Sequence, residues 1–206
     1  MRPTATLPLT IKTPPDWVSR VMSDSLALLN DHAHLERKAA SNALELLQRW
    51  PPDGDETLAQ QWVATLTGIA RDEVEHLATV CRLLARRGGR LSKTHRNPYA
   101  AALRERVRLG QGSDELSDRL MVCALIELRS CERFELLAQH ACDEELANLY
   151  ERLGASERGH YLVFLDLARH MAPKTDLASR WREWLDIEAA IMKNQRPGSG
   201  MHSGFG

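Results

Sequence analysis

The sequence predicts an all-α fold, a four-helix bundle made of two helix hairpins, and three observations predict it. Leu, Ala, Arg and Glu dominate the 206 residues while aromatic residues supply only 5%, a balance that favours helix over strand. Apolar residues recur every three or four positions through four long stretches, the period of a helix with one buried face. Pro and Gly gather between those stretches, where they end helices.

The elements follow in order. Residues 1–15, with Pro3, Pro8, Pro14 and Pro15, read as an extended N-terminal arm. A helix begins near Asp16, breaks around Ser23 to Ser25 and continues to about Arg49, where Trp50, Pro51, Pro52, Asp53 and Gly54 form a stop. The second long helix spans about Asp55 to Arg87 and ends at Gly88 and Gly89. An irregular basic stretch leads to Pro98, suited to the first turn of a short helix that ends near Gly110. The third long helix runs from about Asp114 to Ala141 and the fourth from about Asp143 to Met171. After Pro173 an amphipathic helix carries Trp181, Trp184, Leu185 and Ile191, and residues 195–206, rich in Gly and Ser, read as a flexible tail. Short joints make each pair of consecutive long helices an antiparallel hairpin. Two hairpins joined by one long crossover is the ferritin-like arrangement, and residues 16–194 are expected to form it as a single domain.

The net charge of −1 conceals an asymmetry. Between Arg82 and Arg108 nine Lys or Arg face a single acid, Glu105, which leaves 18 basic against 27 acidic residues elsewhere. A basic segment on an otherwise acidic protein attracts a polyanion. No stretch approaches the ~18 uninterrupted apolar residues of a membrane span, so a cytoplasmic protein with no membrane partner is expected. Cys81, Cys123, Cys131 and Cys142 contain no C-x-x-C pair and read as free thiols.

The chemistry lies on the buried stripes. Glu-x-x-His occurs twice, at Glu73 to His76 and at Glu157 to His160. Helix two carries Leu58, Trp62, Leu66, Ile69, Glu73, His76, Val80 and Leu83 on one face, and helix four carries Leu146, Tyr150, Leu153, Glu157, His160, Phe164 and Leu167. Both motifs therefore point inward. Helix one repeats the pattern with Glu36 among Leu29, Ala33, Ala40, Ala43 and Leu47, and helix three with Glu127 among Leu120, Cys123, Cys131, Phe134 and Ala138. An ionised carboxylate in an apolar core is costly unless it is paired or coordinates a metal. One Glu from each of two helices plus a Glu-x-x-His from each of the other two is the ligand set of the di-iron and di-manganese carboxylate bundles. Mixed oxygen and nitrogen donors suit iron or manganese.

Glu132 rivals Glu127, because Leu125, Leu128 and Leu136 make a stripe around it too. Height favours Glu127: it lies as far before the joint near residue 142 as Glu157 lies after it. Gly159, inside the second motif, suggests a close approach by another backbone or a substrate, or a tight helix crossing.

The segments Leu35-Glu36-Arg37-Lys38-Ala39-Ala40, Asp72 to His76, Ile126 to Phe134 and Ala155 to His160 resemble the tRNA 2-methylthio-N6-isopentenyladenosine hydroxylases, with similarity from about Trp17 to Met192. The resemblance implies a non-haem di-iron centre of two iron ions, O2 as co-substrate and an external electron donor. It also implies hydroxylation of the isopentenyl group on the adenosine at position 37, beside the tRNA anticodon. The expected metal ligands are Glu36, Glu73, His76, Glu127, Glu157 and His160, with no further catalytic side chain. Phosphates supply most nucleic-acid affinity and an anticodon-loop base can be splayed out, so Arg86, Arg87, Arg90, Lys93 and Arg96 are candidate contacts to the anticodon loop, with Tyr99 placed to stack on a base. An iron-oxidising storage protein would share the ligands but gains nothing from a basic crossover. A metal-free helical adaptor would share the stripes alone.

Overall fold

A computed structural model describes residues 7–49, 56–171 and 176–205. Among them are seven helices and no strand: α1 (Asp16–Met22), α2 (Ser25–Leu46), α3 (Glu56–Arg86), α4 (Pro98–Arg104), α5 (Ser113–His140), α6 (Glu144–Met171) and α7 (Leu177–Asn194). The stop at Trp50 to Gly54, the helix start at Asp55, Pro173 and the first six residues of the arm lie outside the described residues. The helices fall into two compact units, one of residues 21–96 with 199–201, the other drawn from residues 1–20, 97–198 and 202–206.

In the first unit α2 and α3 pack as a hairpin. The break before α2 comes where Asp24 leaves helical geometry and its carboxylate accepts the Ala27 N–H at 3.0 Å, an N-cap that satisfies one orphan donor. Leu28, Leu29, Ala33, Ala40, Ala43 and Leu46 of α2 are buried, as are Trp62, Leu66, Ile69, Val80 and Leu83 of α3. Most of these are the stripe positions expected from the sequence; Leu28 and Leu46 join the α2 stripe, whereas Leu47 and Leu58 are only half-buried, and α2 ends at Leu46 rather than Arg49. Gly88, at φ +79°, ends α3 in the left-handed region that glycine adopts without strain.

The second unit is organised around α5. Its hairpin partner α6 is started by Asp143, whose Oδ1 accepts the Leu146 N–H at 3.1 Å. Helices α4 and α7 pack on α5 and on each other. Pro98 opens α4 as expected, but the helix stops at Arg104 instead of near Gly110. The turn that follows is drawn to α5: Arg108 donates to Asp118 from Nε and Nη2, both at 2.8 Å, and from its backbone N–H at 3.1 Å. Arg180 of α7 donates to the same carboxylate at 2.9 and 2.8 Å, and Trp184 Nε1 adds a bond at 3.3 Å.

Helix α5 is buried on nearly all sides, because partners cover both its stripe and the face that reads as polar. Arg129, Glu132 and Arg133 are all buried. Arg129 grips Glu188 of α7 through Nε at 2.8 Å and Nη2 at 2.9 Å, and also pairs with Glu132. The Arg133 guanidinium lies 4.0 Å over the Trp17 ring and donates to Thr13 Oγ1 and to the Ser203 carbonyl, both at 2.9 Å.

Those last contacts correct one expectation. Residues 195–206 were expected to form a flexible tail, yet the described part is seated: Met201 and His202 are buried, Trp17 Nε1 donates to Ser203 Oγ at 3.1 Å, and Arg20 donates to the Gly204 and Phe205 carbonyls. Small residues leave the tail's backbone open to arginine donors, and those bonds offset the freedom that a Gly/Ser composition implies.

Candidate metal centre

In the α2–α3 unit, periodicity brings Glu36, Glu73 and His76 together. Glu36 and Glu73 are buried and His76 is nearly so. His76 Nδ1 lies 3.6 Å from Glu36 Oε2 and 3.9 Å from Glu73 Oε2. One donor atom from each of the three lies within 4.8 Å of the others. His32, one turn before Glu36 on α2, is also buried, and its Nε2 bonds to Glu36 Oε1. Sequence reasoning missed His32, although its place four residues before a stripe carboxylate was a readable signal.

The α5–α6 unit repeats the arrangement with Glu127, Glu157 and His160, all buried. His160 Nδ1 is 3.3 Å from Glu157 Oε2, and one donor atom from each of the three again lies within 4.8 Å of the others. The rival Glu132 is committed elsewhere: Thr13 donates to it from its backbone N–H at 2.9 Å and its hydroxyl at 2.6 Å, and Arg129 pairs with it. Cys131 is buried beside this set, and burial followed by the Glu157 charge pushes its thiol up to about 12. Burial of this kind disfavours the thiolate, the form that acts as a nucleophile. Gly159 is not crowded, since a Cβ there would meet nothing within 4 Å. Neither a close approach by another backbone nor a tight helix crossing therefore occurs at this glycine among the described residues.

Two buried carboxylates and one imidazole in each unit are chemically suited to a divalent first-row cation of intermediate softness. Removing ionised carboxylates from water is costly without a positive partner, and a metal ion is one that two adjacent acids can share. The donor sets thus fit iron or manganese. Ile69 and Val80 flank Glu73 and His76, while Leu153 and Phe164 flank Glu157 and His160; all four are buried.

The basic crossover is largely exposed at its start, whereas Tyr99, farther along it, is buried. Arg82, Arg86, Arg90, Lys93 and Arg96 are exposed and Arg87 is half-buried. Tyr99 does not stack at the surface: it is fully buried and its hydroxyl donates to Glu188 Oε1 at 3.2 Å. The Asn97 cap, whose Oδ1 accepts the Ala100 N–H at 3.2 Å, starts α4 with this ring directed into the core. Burial, then the Glu188 charge, raises the Tyr99 phenol well above its ordinary range. Arg108, the last residue of the basic run, is bound to Asp114 and Asp118. No described helix is long and apolar enough to cross a membrane, and the four cysteines are free thiols.

Comparison with known proteins adds four findings. Residues 2–203 match the family model described as tRNA-(MS[2]IO[6]A)-hydroxylase (MiaE). The chain is 39% identical over 166 residues to the tRNA 2-(methylsulfanyl)-N(6)-isopentenyladenosine(37) hydroxylase of Pseudomonas putida, covering 81% of this chain and 77% of that protein. The Salmonella typhimurium protein of the same name is 30% identical over 74% of this chain and 56% of its own length. Among solved structures, Protein 43 with aldehyde deformylating oxygenase activity from Synechococcus superposes with a TM-score of 0.85 at 32% identity, over 95% of this chain and 96% of that one. The fold class is all-α and ferritin-like, as the helical stripes predict.

Proposed function

The chain belongs to the tRNA-(MS[2]IO[6]A)-hydroxylase (MiaE) family, and on that premise we propose that it is an oxidoreductase that hydroxylates the isopentenyl group of 2-methylsulfanyl-N6-isopentenyladenosine at position 37 of tRNA. Two iron ions held by Glu36, Glu73, His76, Glu127, Glu157 and His160 are its cofactor in this reading, residues 16–194 form one ferritin-like domain, and the enzyme works in the cytoplasm. The observation that carries the reading is the pair of buried Glu-x-x-His motifs, each with a third carboxylate whose donor atom lies within 4.8 Å of the others. The iron-storage and metal-free alternatives are not favoured, because both curated relatives bear hydroxylase names.

The iron pair would supply O2 activation, which side chains alone do not provide. The chain's own residues set the conditions. Four carboxylates would offset the charge of two divalent ions, and the two imidazoles would complete the mixed oxygen and nitrogen donor set. His32 holds one oxygen of Glu36 and so limits how that carboxylate turns. Buried apolar side chains flank the donors along each helix, Ile69 and Val80 on α3 and Leu153 and Phe164 on α6, which disfavours water beside them. Insertion of one oxygen atom into a C–H bond leaves the second to depart as water, which takes two electrons and two protons from an external donor.

Anaerobic loading with Fe2+ followed by aerobic turnover of hypomodified tRNA with a chemical reductant tests the proposal, read by mass spectrometry of the nucleosides. A gain of one oxygen on the isopentenyl adenosine is expected in the wild type and is lost in Glu157→Ala and His160→Ala. Unimpaired hydroxylation by either variant, or binding of substantially less than two irons per chain, would refute it.

A further inference from the structure

Residues 90–97 have no regular secondary structure, yet four polar side chains of α2, Asn30, Asp31, His34 and Lys38, bond to them. Gly88 reverses the chain at φ +79°, and Gly89 packs where a Cβ would run into the Leu84 side chain. Asn30 then exchanges two bonds with Ser92: its Oδ1 accepts the Ser92 backbone N–H at 2.8 Å and its Nδ2 donates to Ser92 Oγ at 3.2 Å. His34, one turn on, donates from Nε2 to the Ser92 carbonyl at 3.0 Å. Ser92 Oγ donates to the Thr94 carbonyl at 2.9 Å, which tightens the segment internally.

His95 is fixed from three directions. Its ring stacks on His34 with centroids 4.8 Å apart and planes 4° from parallel. Lys38, which has no acceptor, donates to Nδ1 at 2.8 Å, so Nε2 carries the hydrogen given to Asp31 Oδ1 at 2.7 Å. Asn30, His34 and Lys38 stand at successive fourth positions of α2 with Asp31 beside them, so one helix face presents the whole set. Between these anchors Arg90, Lys93 and Arg96 remain exposed, and no acid occurs from Arg90 to Asn97. A basic loop without such anchors would be ordered only on binding, at a cost in conformational entropy.

We propose that Asn30, Asp31, His34 and Lys38 form a clamp that pre-organises residues 90–97 as a phosphate-binding ledge for tRNA. The clamp positions Arg90, Lys93 and Arg96, and its function rests on the tRNA reading given above. Side-chain bonds from α2 fix the backbone, the three cations meet phosphates, and affinity gains because little of the segment needs ordering on contact.

The test uses the full chain, an anticodon stem-loop RNA and the variants His95→Ala, Asn30→Ala and Arg90→Glu/Lys93→Glu/Arg96→Glu. Loss of the clamp is expected to speed amide exchange across 90–97 and weaken RNA binding about five- to tenfold, the range of a modest ordering cost. The slope of log affinity against log salt should stay at the wild-type value, because the phosphate contacts themselves are retained. Charge reversal should instead reduce that slope. Faster exchange with unchanged RNA affinity in both clamp variants, or unchanged exchange in both, overturns the clamp while leaving the tRNA surface intact. Wild-type affinity and slope in the charge-reversed protein remove this segment from the tRNA surface and the clamp's function with it. Asn30→Ala, which deletes only a half-buried amide, gives the result should His95→Ala fail to fold.

Discussion

Asp118→Asn is expected to destabilise the protein by about 2.5 kcal/mol near neutral pH, and the figure comes from one carboxylate. Asp118 is fully buried, and its two oxygens accept six bonds from Arg108, Arg180 and Trp184. Burial alone would raise its carboxyl, but the Arg108 and Arg180 bonds outweigh burial and hold it at about 2 against an ordinary 3.8. That fall corresponds to about 2.5 kcal/mol of preference for the charged form. Asparagine has the shape of the neutral acid, so the substitution should forfeit this preference. For a chain of this size the melting temperature should drop by about 5–10 °C. The pH dependence follows from the sign. A carboxyl depressed in the folded state contributes stability above its unfolded value, and that contribution is lost as pH falls through the folded one. Urea unfolding of the wild type and the variant at about pH 7, about pH 5 and about pH 3 should therefore show a gap that is constant between the first two and smaller at the third. A gap below about 1 kcal/mol at neutral pH, or one of constant size across the series, would refute the reasoning.

Glu127 and Glu132 should separate cleanly. Glu127→Ala is expected to lower metal stoichiometry in an anaerobic Co2+ titration, whereas Glu132→Ala should bind metal normally and lose about 2–3 kcal/mol in urea, because it strips a buried partner from Arg129; metal loss in the second variant and not the first would reverse the assignment. His32→Ala should weaken Co2+ binding about tenfold or more, the usual effect of removing a group that orients a ligand. His32→Gln, which keeps a donor, should restore part of it, and equal affinities in all three proteins would show that His32 does not act through Glu36.

The helical hairpins and the inward-pointing acids were legible because both follow from periodicity along one chain segment. The stripes of α3 and α6 are buried at the positions the pattern names, with Leu58 and His76 only partly covered. What periodicity does not carry is which second partner a helix has. Arg129 and Arg133 are charged side chains whose burial shows only once α7, the Thr13 region and the Ser203 region are laid over them, and the same partners claim Glu132, which the pattern along α5 leaves as a rival ligand. Tyr99 was misplaced for a similar reason: its neighbours in sequence are basic and exposed, but the helix that starts at Pro98 turns its ring inward. His32 could have been read from its spacing to Glu36. The anchoring of residues 90–97 could not, because it joins residues about sixty positions apart.

The seating of the Gly/Ser-rich segment bears on how the molecule reports its own state. Trp17 is shielded on one side by the Arg133 cation and on its edge by Ser203, while the Phe205 ring sits 5.5 Å from the same guanidinium. A chain shortened after Asn194 keeps all seven helices but wets that indole and takes the Ser203 acceptor from Arg133. Its fluorescence would shift to the red with no loss of helical signal, so an optical change that looks like partial unfolding would mark only an undone clasp.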